Sequence, residues 1–180
     1  VVIYVDGSPI ANPDYDTTDV NTILIGNLST NDFCGANPPC SVTSWTTPDH
    51  GNVSINPNGT YQYTPDPGYV GEDSFIYTYC DLVSCDTALV SVYVNAYPIA
   101  NDSIFYTQLN TQVYTTLPLS NYCGNEPCDL NLVTPPSHGS FVGFDPVLGP
   151  LYEPNPGFVG IDTFTYYLCD ADGDCDTAMV

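Results

Sequence analysis

The chain has 180 residues, of which 21 are Asp or Glu and none is Lys or Arg, so its formal charge is −21. A chain without cations cannot neutralise a nucleic-acid backbone, clamp a phosphate ester or settle on an anionic lipid surface, which argues against all three as partners. No apolar run approaches the roughly 18 residues of a membrane-spanning helix, so membrane insertion is not expected.

The remaining composition is that of strands: 43% hydrophobic residues with 15 Tyr and 7 Phe among them, and 17 Pro and 14 Gly set between the apolar runs as turn punctuation. The chain opens on VVIYVD (1–6), with no Met and no visible signal peptide in front, so a mature chain, an excised one or a repeat unit is expected. After PIAN (9–12) and NLSTND (27–32) come CGANPPC (34–40), the His50-Gly51 pair and NPNGT (56–60), whose Asn-Gly is a strong hairpin signal. Alternation then predicts strands in TYQYTP (60–65), DSFIYTYC (73–80) and ALVSVYVN (88–95). Gly68 and Gly71 supply turn geometry ahead of the second of these, and Asp73 at its start is expected to fix the turn by hydrogen-bonding to the backbone, metal binding being the other reading.

From PIAN (98–101) onward the landmarks return. Cys34 is matched by Cys123 and His50-Gly51 by His138-Gly139; YTPDPGYVGEDSFIYTYCD (63–81) is matched by YEPNPGFVGIDTFTYYLCD (152–170), with its Gly157, Gly160 and Asp162. CDTALV (85–90) is matched by CDTAMV (175–180). Two homologous units follow, over 1–95 and 96–180. About seven short strands per unit fit an all-β, immunoglobulin-like Greek-key sandwich that buries alternate Val, Ile, Tyr and Phe between two sheets.

Eight Cys fall in four close pairs: Cys34 with Cys40, Cys80 with Cys85, Cys123 with Cys128, and Cys169 with Cys175. An even count in a strand-rich chain predicts local disulfides and an oxidising location; zinc is the rival, but the spacings lack a C-x2-C knuckle and neither His lies beside a pair. The metal candidate is CDADGDC (169–175), where Asp170, Asp172 and Asp174 alternate around a turn as oxygen ligands of calcium do. Against it stands a solvated hairpin tip that needs no ion, and the matching CDLVSC keeps only Asp81. Sequons at Asn27, Asn52, Asn58 and Asn101, with Asp-Thr-Ala at 86–88 and 176–178, are candidate glycosylation sites consistent with an outside location. No nucleophile stands in a recognisable arrangement with His50 or His138, which read as turn residues rather than general bases, and no enzyme is expected.

Taken together, P-x-A-x-x-D, the NLSTND segment, NPNGTYQYTPDPGYVGEDSFIYTYCD and CDTALVSVYV resemble the tandem cadherin-like or immunoglobulin-like repeats of giant bacterial extracellular surface proteins. The resemblance spans both units, and G-[YF]-V-G-x-D-x-F-x-Y is its most specific part. It implies extracellular spacers, stalks and fibre modules that often bind calcium at acidic loops. Where many relatives carry acidic residues after Asn-Asp, this chain has CGANPPC and CGNEPC, so a disulfide stands in place of a calcium loop.

The last strand of the first unit is whole in DTALVSVYVN (86–95), whereas the second unit has only DTAMV before residue 180. The missing half matches the opening residues. Residues 1–6 are therefore expected to complete the second sandwich of a preceding copy, with Val1, Val2, Ile3, Tyr4 and Val5 meeting Ala178, Met179 and Val180 at a polymer joint. The expected function is a structural repeat unit of an extracellular filament or cell-surface stalk, with further copies of the chain as partners joined head to tail. The alternative is an adhesin module that binds glycan through Tyr-rich faces such as Tyr61, Tyr63, Tyr77 and Tyr79.

Overall fold

The computed structural model describes residues 7–116, 121–145 and 148–180 and divides the chain into two compact units, Val1–Ala96 and Tyr97–Val180. Val1, Val2, Ile3, Tyr4 and Val5 lie outside the described residues.

The first unit is built from β1 (Asp14–Asp19), β2 (Leu24–Asn27), β3 (Ser41–Trp45), β4 (Gly51–Ile55), β5 (Thr60–Pro65), β6 (Gly71–Cys80) and β7 (Cys85–Asn95). They form two sheets, ordered β1-β7-β6-β3 and β2-β5-β4. Period-two alternation sets the inward faces: Phe75, Tyr77 and Tyr79 of β6 and Ala88, Val90, Val92 and Val94 of β7 are buried, and they share a core with Leu28, Val42, Ile55, Tyr61 and Tyr63. Each large side chain so enclosed stabilises the fold by about 1.5–3 kcal/mol. Two strands run further than their apolar pattern suggests. β6 begins at Gly71 and β7 at Cys85 because backbone pairing continues from Gly71 with Val94 to Cys80 with Cys85. The other neighbour of β7 is β1, which runs parallel to it from Asp14 opposite Val90 to Asp19 opposite Asn95.

The second unit contains β8 (Val113–Tyr114), β9 (Asp129–Thr134), β10 (Gly139–Asp145), β11 (Gly149–Pro154), β12 (Thr165–Cys169) and β13 (Cys175–Met179), in sheets ordered β10-β11-β8 and β13-β12-β9. Its core includes Tyr152, Phe164, Tyr166, Leu168 and Ala178. Val180 exchanges two hydrogen bonds of 2.9 Å with Phe164, a pair that matches Val90 opposite Phe75 in the first unit. Ser103 N donates to Met179 O at 3.0 Å, where Asp14 of β1 lies opposite Val90 in the first unit.

Each His-Gly pair has a steric reason. Gly51 lies on the ring of Tyr63, and a Cβ there would come within 2.7 Å of both the ring and the Thr64 carbonyl; Gly139 is pressed against Tyr152 and the Glu153 carbonyl in the same way. Gly51→Ala is therefore expected to destabilise the first unit by about 1–3 kcal/mol through overpacking against backbone that cannot yield. Urea unfolding should show a lower midpoint, and an unchanged midpoint would refute the close-approach account.

Candidate functional sites

All eight cysteines are paired as disulfides, Cys34–Cys40, Cys80–Cys85, Cys123–Cys128 and Cys169–Cys175, which leaves no thiolate for zinc. Two stapled loops meet at one end of each sandwich. In the first unit Leu82 N donates to Asn37 O at 3.1 Å, and in the second Ala171 N donates to Asn125 O at the same distance. Each staple closes so short a loop that its entropic contribution is modest, roughly 2 kcal/mol.

The acids on the two hairpins are held differently. Asp81 receives Val83 N at 2.8 Å, Ser84 N at 2.7 Å and the Asn37 amide, and these donors keep its carboxyl below the usual range. Asp170, only 6% exposed, accepts one backbone bond from Asp174 N at 3.0 Å, and its Oδ2 is enclosed without a donor. Burial, followed by the adjoining carboxyl of Asp172, pushes Asp170 up. Asp172 is held low by its bond with Asp170 and by the Asn125 amide, which donates at 3.1 Å. Asp172 and Asp174 bring carboxylate oxygens within 4.8 Å of each other, close enough to hold a metal, and Asp170 stands outside that group.

Asp73 and Asp162 are corner locks. Asp73 accepts from Asp49 N and His50 N at 3.1 Å, Ser74 N at 2.8 Å and the Tyr63 hydroxyl at 2.8 Å. Asp162 repeats the set with Ser137 N, His138 N, Thr163 N and the Tyr152 hydroxyl. Burial alone would raise Asp162, but these donors hold it below the usual range, while burial and Asp162 push Tyr152 up to about 12. His50 stacks on Tyr69 with ring centroids 4.1 Å apart and His138 on Phe158 at 4.4 Å, so each imidazole caps a turn.

The Asp-Thr-Ala segments also have structural work: Asp86 accepts from Ala11 N at 3.0 Å and Asp176 from Ala100 N at 2.9 Å, tying the last strand to the PIAN segment. Among the sequons, Asn27 caps the 3-10 turn at Leu28–Thr30, Asn58 accepts from both the amide and hydroxyl of Thr60, Asn52 is exposed on β4, and Asn101 donates its N–H to Asn121. The tyrosine face expected to meet glycan is corrected outright. Tyr61, Tyr63, Tyr77 and Tyr79 are all buried, because each falls on the inward phase of β5 or β6.

Sequence reasoning missed a cluster at the start of the first unit. Tyr77 donates to both oxygens of Asp32, at 2.8 and 2.9 Å, Tyr61 donates to Asp16, and Asn12 N donates to Asp32 at 2.8 Å. Asp14 lies among them, partly buried, with its Oδ2 enclosed and without a donor. Burial, then the charges of Asp32 and Asp16, push Asp14 up to about 6; Asp32 is raised too, by burial first and with Asp86 adding to it. In the second unit Ser103, Phe105 and Asn121 stand at the matched positions, and Tyr166 bonds the Asn121 amide oxygen at 3.2 Å. That contrast between the repeats is the signal that would have found the cluster.

The sign of its pH dependence follows. A carboxyl raised in the folded state favours folding fully below its unfolded pKa, and that contribution is lost as pH rises from the ordinary carboxylate range through about 6. Asp14→Asn should therefore stabilise the first unit at pH 7 and flatten the decline in stability between pH 4 and 6, measured by urea unfolding across that range. An equal slope in wild type and variant would refute the assignment.

A family model described as bacterial Ig domain matches residues 6–93 and again 95–180. No curated protein matches the chain. Among solved structures, the I-band fragment of titin superposes with a TM-score of 0.54 at 10% identity, over 96% of this chain and 64% of that one. The N-terminal eight Ig domains of Down Syndrome Cell Adhesion Molecule give 0.50 at 15% identity, over 97% of this chain and 24% of that one. An endo-fucoidan hydrolase of glycoside hydrolase family 107 aligns at a TM-score of only 0.36 and 16% identity, over 96% of this chain, which spans 28% of the hydrolase's length. These likenesses concern fold alone. No helix among the described residues is long and apolar enough to cross a membrane. With two matched segments, sandwich sheets in each unit and the repeated Asp-Tyr corner, the chain belongs to the bacterial Ig domain family as a tandem of two such domains.

Proposed function

We propose that the chain is a structural repeat unit of an extracellular filament or cell-surface stalk, non-enzymatic, in which a β-strand from the next copy completes the second sandwich. The observation that carries this reading is the difference between the two final strands. In the first unit residues 91–95 of β7 pair with β6 on one side and β1 on the other, and Val92 and Val94 fill the core. The matched segments of the second unit, 104–108 and 160–163, are outside any strand, and Ile104, Tyr106, Val159 and Ile161 are largely exposed.

Aligned on the PIAN segments, Ile3, Tyr4 and Val5 fall at the positions of Val92, Tyr93 and Val94. That phase assigns Ile3 and Val5 to the core of the completed sandwich and Val2 and Tyr4 to its surface. The strand comes from a following block of one polypeptide or from a separate subunit inserting it. Four disulfides support an oxidising, extracellular location, and calcium is the cation suited to acidic turns of this kind. The adhesin reading loses its tyrosine face to the core.

Burying two such side chains stabilises a joint by roughly 3–6 kcal/mol. The double variant Ile3→Asp, Val5→Asp should abolish filaments or break them at every second bead in electron micrographs, while Val2→Asp, Tyr4→Asp assembles. Normal fibres from the first variant would defeat the strand-completion reading.

A further inference from the structure

We infer that Gln108 selects the strand that completes the second unit, its side-chain amide receiving the Asp6 carboxylate of the incoming copy. This rests on the strand-completion reading and adds to it one partner residue on each side of the joint. In the first unit the ladder between β1 and β7 ends with Asp19 opposite Asn95, and Val20 N then donates to Asn95 O at 2.8 Å. Asn95 is buried there. Aligned on the PIAN segments, Asp6 falls at the position of Asn95 and Gln108 at that of Asp19. The carboxylate and the amide have changed sides of the ladder. Had β1 been repeated unchanged, the joint would set Asp against Asp, and the chain has no Lys or Arg to relieve such a pair. With Gln on the receiving side, an N–H donor meets the acid instead.

The turn that carries Gln108 already has the geometry of the first unit. Thr111 N donates to Gln108 O at 3.0 Å as Thr22 N does to Asp19 O. The Thr107 hydroxyl bonds Thr111 O as that of Thr18 bonds Thr22 O, and Gly157 N donates to Asn110 Oδ1 at 2.8 Å as Gly68 N does to Asn21 Oδ1 at 2.9 Å. Its side chains are nevertheless uncovered: Thr107, Gln108 and Leu109 are exposed, whereas Thr18 is buried and Val20 packs against the core. A receiving turn that is set in advance lowers the ordering cost of binding a strand. Charge points to the same occupant. Asp14, Asp16 and Asp19 of β1 are replaced by Ser103, Phe105 and Gln108, so this edge of a chain of charge −21 is cleared of acids at all three positions. Asp102, at the opposite end of the segment, accepts from Met179 N at 2.7 Å. The edge thus fits VVIYVD of a second copy, an apolar strand whose last residue is an acid.

The test titrates the full chain, kept dilute at pH 7.5 in about 150 mM NaCl to screen its net charge, with a synthetic peptide of residues 1–12 and with the same peptide carrying Asp6→Asn. Calorimetry on wild type should show both binding, within about threefold of each other, since Gln pairs with either side chain. Hydrogen exchange should slow at the amides of 103–109 and 160–163. Gln108→Glu, a change at one exposed side chain, should weaken the native peptide at least tenfold by setting carboxylate against carboxylate, and should bind the Asp6→Asn peptide within about threefold of wild type. If Gln108→Glu binds the native peptide as wild type does, or if the Asp6→Asn peptide fails to recover it, the assignment of Gln108 falls and strand completion stands. If wild type binds neither peptide and no amide of 103–109 or 160–163 slows, both readings fall together.

Discussion

Every carboxylate in this molecule must be stabilised without a Lys or Arg side chain, and the interior is organised around that constraint. Asp73 and Asp162 enter their sandwiches on three backbone N–H groups and one tyrosine hydroxyl each. Asp86 and Asp176 use backbone donors to fasten one end of the last strand, and Asp32 takes Tyr77 from the core together with Asn12 N. The abundance of tyrosine follows: it is the large apolar residue that brings a donor to a buried acid. Where donors run out, at Asp14 and Asp170, an enclosed oxygen is left bare and the carboxyl rises towards neutrality.

The two units act as controls for each other. Both keep the Asp-Tyr corner, the His stacked on an aromatic ring and the two stapled loops, so these belong to the fold. They differ where charge is placed. The first concentrates acids beside Tyr77 and has a neutral, donor-rich hairpin; the second has Ser103 and Asn121 beside Tyr166 and concentrates acids in its hairpin. The fold tolerates either distribution. Acid at a given end is thus a feature added to the sandwich rather than one it requires.

Much of the architecture was legible from local pattern. Repeated landmarks gave two units, alternation in 60–65, 73–80 and 88–95 gave core strands, and cysteine spacing gave loops short enough to close locally. Phase was harder to read. Tyr61, Tyr63, Tyr77 and Tyr79 alternate with polar residues, and alternation alone does not say which face turns inward; packing across the two sheets decides that. The cluster of Asp14, Asp16 and Asp32 was illegible for another reason. Its members meet only because β1, the turn before Cys34 and the end of β6 converge, and no short motif encodes a contact between residues 45 positions apart.

The parallel pairing of β1 with β7 carries a mechanical consequence. β1 lies near the start of the first unit and β7 at its end, so tension applied to the two ends pulls these neighbours in opposite directions along their shared axis. The ladder between Asp14–Asp19 and its partners is then loaded in shear, with all its hydrogen bonds bearing force together instead of parting one at a time as in a peeled hairpin. The staple between Cys80 and Cys85 fixes the far end of β7 to β6, so the strand cannot escape by unravelling its hairpin. Geometry of this kind makes the first unit a stiff link under axial load.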